Sequence, residues 1–171
     1  MVSRILAVRV AVVAAATIVA AQAVEFAMQA APLCPNAVSP ARCHFAQLGF
    51  LTLSRRENHG VLGDIFHGSP VAAGLALLGC LLIVLYALWL GRRNWFVALA
   101  VGLQLGGALS NLFDRVVFGV TADFLAIGGV LIVNVADLAI MAGTILAILA
   151  ILYEVIIGTP HPRAVSRSTV V

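Results

Sequence analysis

The sequence predicts an all-α integral membrane protein, with four transmembrane helices and a small extracytoplasmic β region at the membrane surface. Three observations predict it. Of the 171 residues, 63% are hydrophobic and 10% charged, with a mean hydropathy of +1.11, whereas soluble domains carry about 25% charged residues. Apolar runs at about 5–26, 71–90, 95–112 and 134–157 come close to or exceed the roughly 20 helical residues that cross hydrocarbon. The cationic residues are all arginines, and they divide unevenly between the connections.

Helices follow from the solvent, because backbone N–H and C=O groups in lipid must be paired within the segment. A single domain over 1–171 is expected, since the bilayer replaces part of the core that a soluble chain would bury. Outer loops then occupy 27–70 and 113–133, and 158–171 forms a cytoplasmic tail. Arg4, Arg9, Arg92, Arg93, Arg163 and Arg167 fall on one side of this topology, and Arg42, Arg55, Arg56 and Arg115 on the other. The positive-inside rule places both termini in the cytoplasm. A net charge of +3 spread over several loops sets orientation and points away from nucleic acid.

The first run admits two readings. Its basic start and Ala21-Gln22-Ala23 resemble a secretory leader with a small-residue cleavage site. Against this, Arg9 sits where it can snorkel, the apolar character continues to Phe26, and the alanines suit close helix packing, so a retained helix is expected.

Loop 27–70 is long enough to carry structure of its own. Phe45 to Leu53 has the aromatic and β-branched character of a strand. Cys34 and Cys43 share this loop, and a disulfide between them is left open, while Cys80 falls in the second run as a packing residue. His44, His59 and His67, beside Glu57 and Asp64, show none of the usual ligand spacings. No metal or other cofactor is expected.

The chemistry concentrates between Gly106 and Gly143, which holds three of the seven acidic residues and repeats one pattern, Asn111-Leu-Phe-Asp114 and Asn134-Val-Ala-Asp137. At 1.5 Å per residue, a helix rising from Arg93 reaches the far membrane boundary near Asn111 to Asp114. The glycines at 119, 128 and 129 then mark an irregular or short β connection. Asn134 reads as a helix N-cap, with Asp137 placed to reach back to it, just inside the same boundary. Either acid alone could cap a helix or pair with a cation. Two at one depth on adjacent helices are costly near lipid and mark a functional site.

Two close carboxyl groups cannot both ionise easily, so one keeps a proton. That suits peptide hydrolysis, in which the charged acid takes a proton from water and the protonated one polarises the scissile carbonyl. Asn111 and Asn134 can orient the acids, and Arg115 can hold the loop or a lipid headgroup.

These residues resemble the bacterial lipoprotein signal peptidases. GGALSNLFDRVVFGVTADF is similar to the family's G-G-x-x-G-N-x-x-D-R-x-x-x-G-x-V-x-D-F motif at Gly106, Gly107, Asn111, Asp114, Arg115, Gly119, Asp123 and Phe124. VNVADLAIMAG resembles F-N-x-A-D-x-x-I-x-x-G at Asn134, Ala136, Asp137, Ile140 and Gly143. The resemblance implies an intramembrane aspartyl endopeptidase of the bacterial inner membrane. It would cut a prolipoprotein leader before a diacylglyceryl-modified cysteine, with the site at the outer face. Asp114 and Asp137 would be catalytic, Asn111, Arg115 and Asn134 supporting, and Asp123 a holder of the connecting loop. Asn58 and Gly60 resemble part of the family's outer-loop N-x-G-x-x-F element, although Gly63 stands where an aromatic is expected. The expected partners are the lipidated substrate and membrane lipid, with no nucleic acid, and the protein is expected to act as a monomer.

The departures lie mostly away from the acids. Ser110, Thr121 and Val133 replace a glycine, a valine and a phenylalanine. In the first run the family carries D-Q-x-x-K, but this chain reads Ala21-Gln22-Ala23-Val24-Glu25, which reverses a charge. That change keeps a second reading open, a non-catalytic paralogue that binds lipidated peptides or scaffolds membrane partners.

Overall fold

The computed structural model describes residues 4–33, 44–60, 95–129 and 131–157, together with residues 71, 74–75, 78–79, 81–83 and 85. The first long helix, α1 (Arg4–Met28), runs unbroken through the stretch that resembles a leader. It is followed by β1 (Ala46–Leu48) and β2 (Leu51–Asn58), then α2 (Trp95–Val117), β3 (Thr121–Ile127), β4 (Leu131–Val133) and α3 (Val135–Ile157). These three helices are long and apolar enough to cross a membrane. The expected second span, 71–90, falls largely outside the described residues, and its described positions are helical. Cys34, Cys43, Cys80, Asp64 and His67 also lie outside them.

Among the described long helices, α2 is the central one. It is 61% buried over its most apolar stretch, against 22% for each of α1 and α3, because it packs against both of them. The outer helices keep an apolar face outward, with Val8, Val12, Val19 and Phe26 on α1 and Ile145, Ile148, Leu149 and Leu152 on α3. In lipid such a face needs no protein partner. Close approach to α2 depends on Gly106 and Gly107, which face opposite neighbours. A Cβ on Gly106 would lie 2.6 Å from Thr17 Cβ, and one on Gly107 would lie 2.9 Å from Ile140 Cγ1. At the far end of the bundle, the Arg9 guanidinium lies over the Trp95 ring, 5.5 Å from its centroid, a favourable cation–π position.

Helix α2 continues past the predicted end at 112, so Asp114 and Arg115 belong to the helix and not to the connection. Gly119 stops it. With φ at 78°, this residue takes the left-handed conformation that glycine adopts without Cβ strain. The N–H groups of Phe118 and Gly119 then close on the carbonyls of Asp114 and Arg115 at 2.7 and 3.2 Å.

The β region is a four-stranded antiparallel sheet in the order β1-β2-β3-β4. The single strand expected over Phe45–Leu53 is in fact a hairpin, folded back at Gly49-Phe50 so that Leu48 pairs with Leu51. The connection after α2 is likewise a regular strand, β3, which pairs with β2 across a register shift between Leu53 and Arg56. Arg55 ties the sheet to the end of α1, since its Nη1 donates to the carbonyls of Gln29 and Ala31 at 2.9 and 3.3 Å. Carbonyls at a helix C-terminus otherwise lack partners.

Candidate active site

The C-terminal end of α1, the C-terminal end of α2 and the N-terminal start of α3 meet at the sheet, and polar side chains collect there. Asn134 opens α3 with the predicted reciprocal cap. The Asp137 N–H donates to Asn134 Oδ1 at 2.9 Å, and the Asn134 N–H donates to Asp137 Oδ2 at 3.3 Å. The other carboxylate oxygen of Asp137 accepts from Asn111 Nδ2 at 2.8 Å. Asn134 Nδ2 donates in turn to Asn111 Oδ1 at 3.0 Å and to Asp123 Oδ1 at 3.3 Å. Asn111 and Asn134 are both buried, so each amide bridges two elements with little competition from water.

Asp114 lies one turn beyond Asn111 on the same face of α2 and is 0% exposed. Its Oδ1 accepts from Gln22 Nε2 at 2.8 Å, and the same amide donates to Ser110 Oγ at 3.0 Å. Arg115 is also buried, and its guanidinium donates to the carbonyls of Asn111 (3.1 Å) and Gly60 (3.0 Å). The carboxyl groups of Asp137, Asp123, Asp114 and Glu25 lie around it. A buried cation among several carboxyl groups offsets the repulsion that would otherwise drive those groups apart.

Asn58 and Gly60 reach this cluster from the end of β2. Asn58 Nδ2 donates to Asp123 Oδ2 at 3.0 Å, and Asn58 Oδ1 accepts from the Gly60 N–H at 3.0 Å. That short turn aims the Gly60 carbonyl at Arg115. Asp123 does more than hold its own loop, because its two oxygens join β2 to the start of α3. These bonds join seven of the eight residues singled out in the sequence, and the eighth, Asp114, stands next to Arg115 in α2 with Gln22 as its partner. His59 points elsewhere, exposed and 3.8 Å from Glu57.

The comparisons with known proteins show the family and the fold. The family described as signal peptidase (SPase) II matches residues 6–153. The chain belongs to the signal peptidase II family. A lipoprotein signal peptidase of Beijerinckia indica is 35% identical over 70% of this chain and 75% of its own length. One from Rhodopseudomonas palustris is 32% identical over 68% and 76%. Two solved structures described as bacterial membrane enzymes share the fold. The first has a TM-score of 0.70 at 21% identity, covering 90% of this chain and 93% of its own, and the second has 0.65 at 22%, covering 84% and 92%.

Membership places the chain among the peptidases of bacterial membranes, and among the described residues three helices are suited to crossing one. Sequence reasoning did not place Gln22, Glu25 or Ser110 against the acids. A signal for the first two was present, since Gln22 is the retained residue of the D-Q-x-x-K pattern and Glu25 follows one helical turn later on the same face. Ser110 stands where the motif has glycine, and its hydroxyl accepts the Gln22 amide.

Proposed function

We propose that this chain is an aspartyl endopeptidase that removes prolipoprotein leaders before a diacylglyceryl-modified cysteine, with Asp114 and Asp137 as its catalytic acids. The observation that carries this reading is that the two acids come from adjacent helix ends and are linked through Asn111, which sits one turn before Asp114 and holds Asp137 directly. One carboxylate takes a proton from water as the oxygen attacks the scissile carbonyl, and the other, protonated, donates to the carbonyl oxygen. Collapse of the tetrahedral intermediate passes a proton to the leaving nitrogen. Asn111 and Asn134 hold Asp137 in orientation, Gln22 holds Asp114, and Arg115 steadies the surrounding charge.

The substrate fits the position of the site. Its acyl chains remain in the bilayer while the peptide meets the acids beside the sheet, whose hairpin exposes Leu48 and Phe50. With Arg4 and Arg9 at the opposite end of α1, the positive-inside rule puts the site at the outer face and the termini in the cytoplasm. The test is cleavage by the purified protein in lipid of a prolipoprotein with and without the diacylglyceryl group. Only the lipidated form is expected to be cut. If neither is cut, the catalytic reading is lost and the non-catalytic paralogue takes its place.

A further inference from the structure

The reversed charge on α1 lies within the site. Gln22 and Glu25 project from the same face of α1, and both reach Asp114. Gln22 Nε2 donates to Asp114 Oδ1 at 2.8 Å. Glu25 Oε1 accepts from the backbone N–H of Ala122 at 3.1 Å, which sets the Glu25 carboxyl beside that of Asp114. Asp114 Oδ2 is fully buried and receives no N–H or O–H from a described residue. A buried carboxylate oxygen without a donor costs about 1–3 kcal/mol or more, and two bare carboxylates in contact repel. One hydrogen between Glu25 and Asp114 Oδ2 removes both penalties.

We propose that Glu25 is a positioning residue of the site, a neutral carboxylic acid anchored by the Ala122 N–H that donates its proton as a hydrogen bond to Asp114 Oδ2. Asp114 is then held at both oxygens, by Gln22 and by Glu25, as Asp137 is held by Asn111 and Asn134. The change from the lysine of the resembling motif to glutamate therefore keeps a donor at this place while removing a fixed positive charge. Asp114 and Arg115 of α2 and Asp123 of β3 face Glu25, and Asp137 of α3 faces Arg115. Loss of the Glu25 proton would add a negative charge to a cluster whose buried cation is Arg115.

The role rests on Asp114 being catalytic, but its test does not depend on turnover alone. Infrared difference spectra between wild type and Glu25→Gln in lipid at neutral pH should show one protonated-carboxyl C=O stretch lost from the wild type. If the difference shows carboxylate bands alone, Glu25 is ionised and the proposal is overturned, whatever the activity. In the cleavage assay the wild type should lose kcat on the alkaline side. Glu25→Gln, whose amide can donate to Asp114 and accept from Ala122, should stay within about tenfold of wild type and carry that alkaline limb upward by about one pH unit or more. Glu25→Ala should lose kcat by about 100-fold with little change in KM. A Glu25→Gln profile that superimposes on the wild type, or a fully active Glu25→Ala, would overturn the proposal. A wild type that cuts nothing yet shows the infrared band would sink the peptidase reading and leave the Glu25 hydrogen bond standing.

Discussion

Asn111 of α2 donates its side-chain amide to Asp137 of α3 at 2.8 Å, which joins the helix that carries one acid to the other acid itself. Its carbonyl oxygen accepts from Asn134, the cap of α3. Truncation to Asn111→Ala removes both bonds at once and leaves the Asn134 amide and one Asp137 oxygen short of partners. A loss of about 1–3 kcal/mol in stability is expected from the orphaned buried groups. The kcat for cleavage should fall further than that loss accounts for, because Asp137 loses its orientation. Thermal unfolding in detergent and steady-state cleavage measure the two effects. Wild-type kcat in Asn111→Ala would show that the link is dispensable.

The acids themselves give a cleaner separation of chemistry from folding. In Asp114→Asn the amide oxygen still accepts from Gln22, and in Asp137→Asn it still accepts from Asn111. Insertion and helix packing should therefore survive. Each variant should lose at least about 100-fold in kcat, the usual scale of general acid–base participation. A double variant should be little worse than either single one, since the dyad acts as a unit. Retained cleavage in either single variant would remove that residue from the mechanism.

How much of this was legible in the sequence differs from residue to residue. The Asn134–Asp137 cap could be read because it is local, a matter of four consecutive residues and one helix start. The sheet was only half legible. The strand character of Phe45–Leu53 was visible, but the fold-back at Gly49 and the pairing of β2 with β3 depend on partners elsewhere in the chain. The contacts of Gln22 and Glu25 with Asp114 span about ninety positions of sequence. They arise because α1 and α2 approach closely along small residues, which periodicity does not specify. The end of α2 was misplaced for a related reason, as hydropathy reports where the apolar run stops while Gly119 decides where the helix does.

Asp123 joins the sheet to the helices. Its oxygens accept from Asn58 at the end of β2 and from Asn134 at the start of α3. Asp123→Ala takes away the Asn58 amide's acceptor and leaves the Asn134 amide with Asn111 alone, so the strand end carrying Gly60 loses its tie and the Gly60 carbonyl is no longer held toward Arg115. Amide hydrogen exchange should quicken at the end of β2, with about 1–3 kcal/mol lost in stability. Asp123→Asn should be milder, because one oxygen acceptor remains. Unchanged exchange in Asp123→Ala would show that the strand pairing alone suffices.

Gly106 and Gly107 test whether helix spacing, independent of any polar group, sets the site. Both are buried on α2, but a methyl at Gly106 presses on α1, against Thr17 Cβ at 2.6 Å and the Ala14 carbonyl at 2.7 Å, while one at Gly107 presses on α3 near Ile140. Neither contact can be relieved by a side-chain turn alone, because backbone atoms block each one. Gly106→Ala and Gly107→Ala should each lower stability by about 1–3 kcal/mol. Their effects on cleavage should differ in origin. Gly107 lies one turn before Asn111, and Ala136, the backbone neighbour it meets, precedes Asp137. Pushing α3 away there stretches the 2.8 Å Asn111–Asp137 bond. Gly106→Ala instead moves α1, and with it Gln22 and Glu25, away from Asp114. Adding Glu25→Gln to each variant distinguishes the two. It should have little further effect in Gly106→Ala, where the Glu25 contact is already loosened, and its full effect in Gly107→Ala. Equal effects in both backgrounds would show that the two helices do not control the two acids separately.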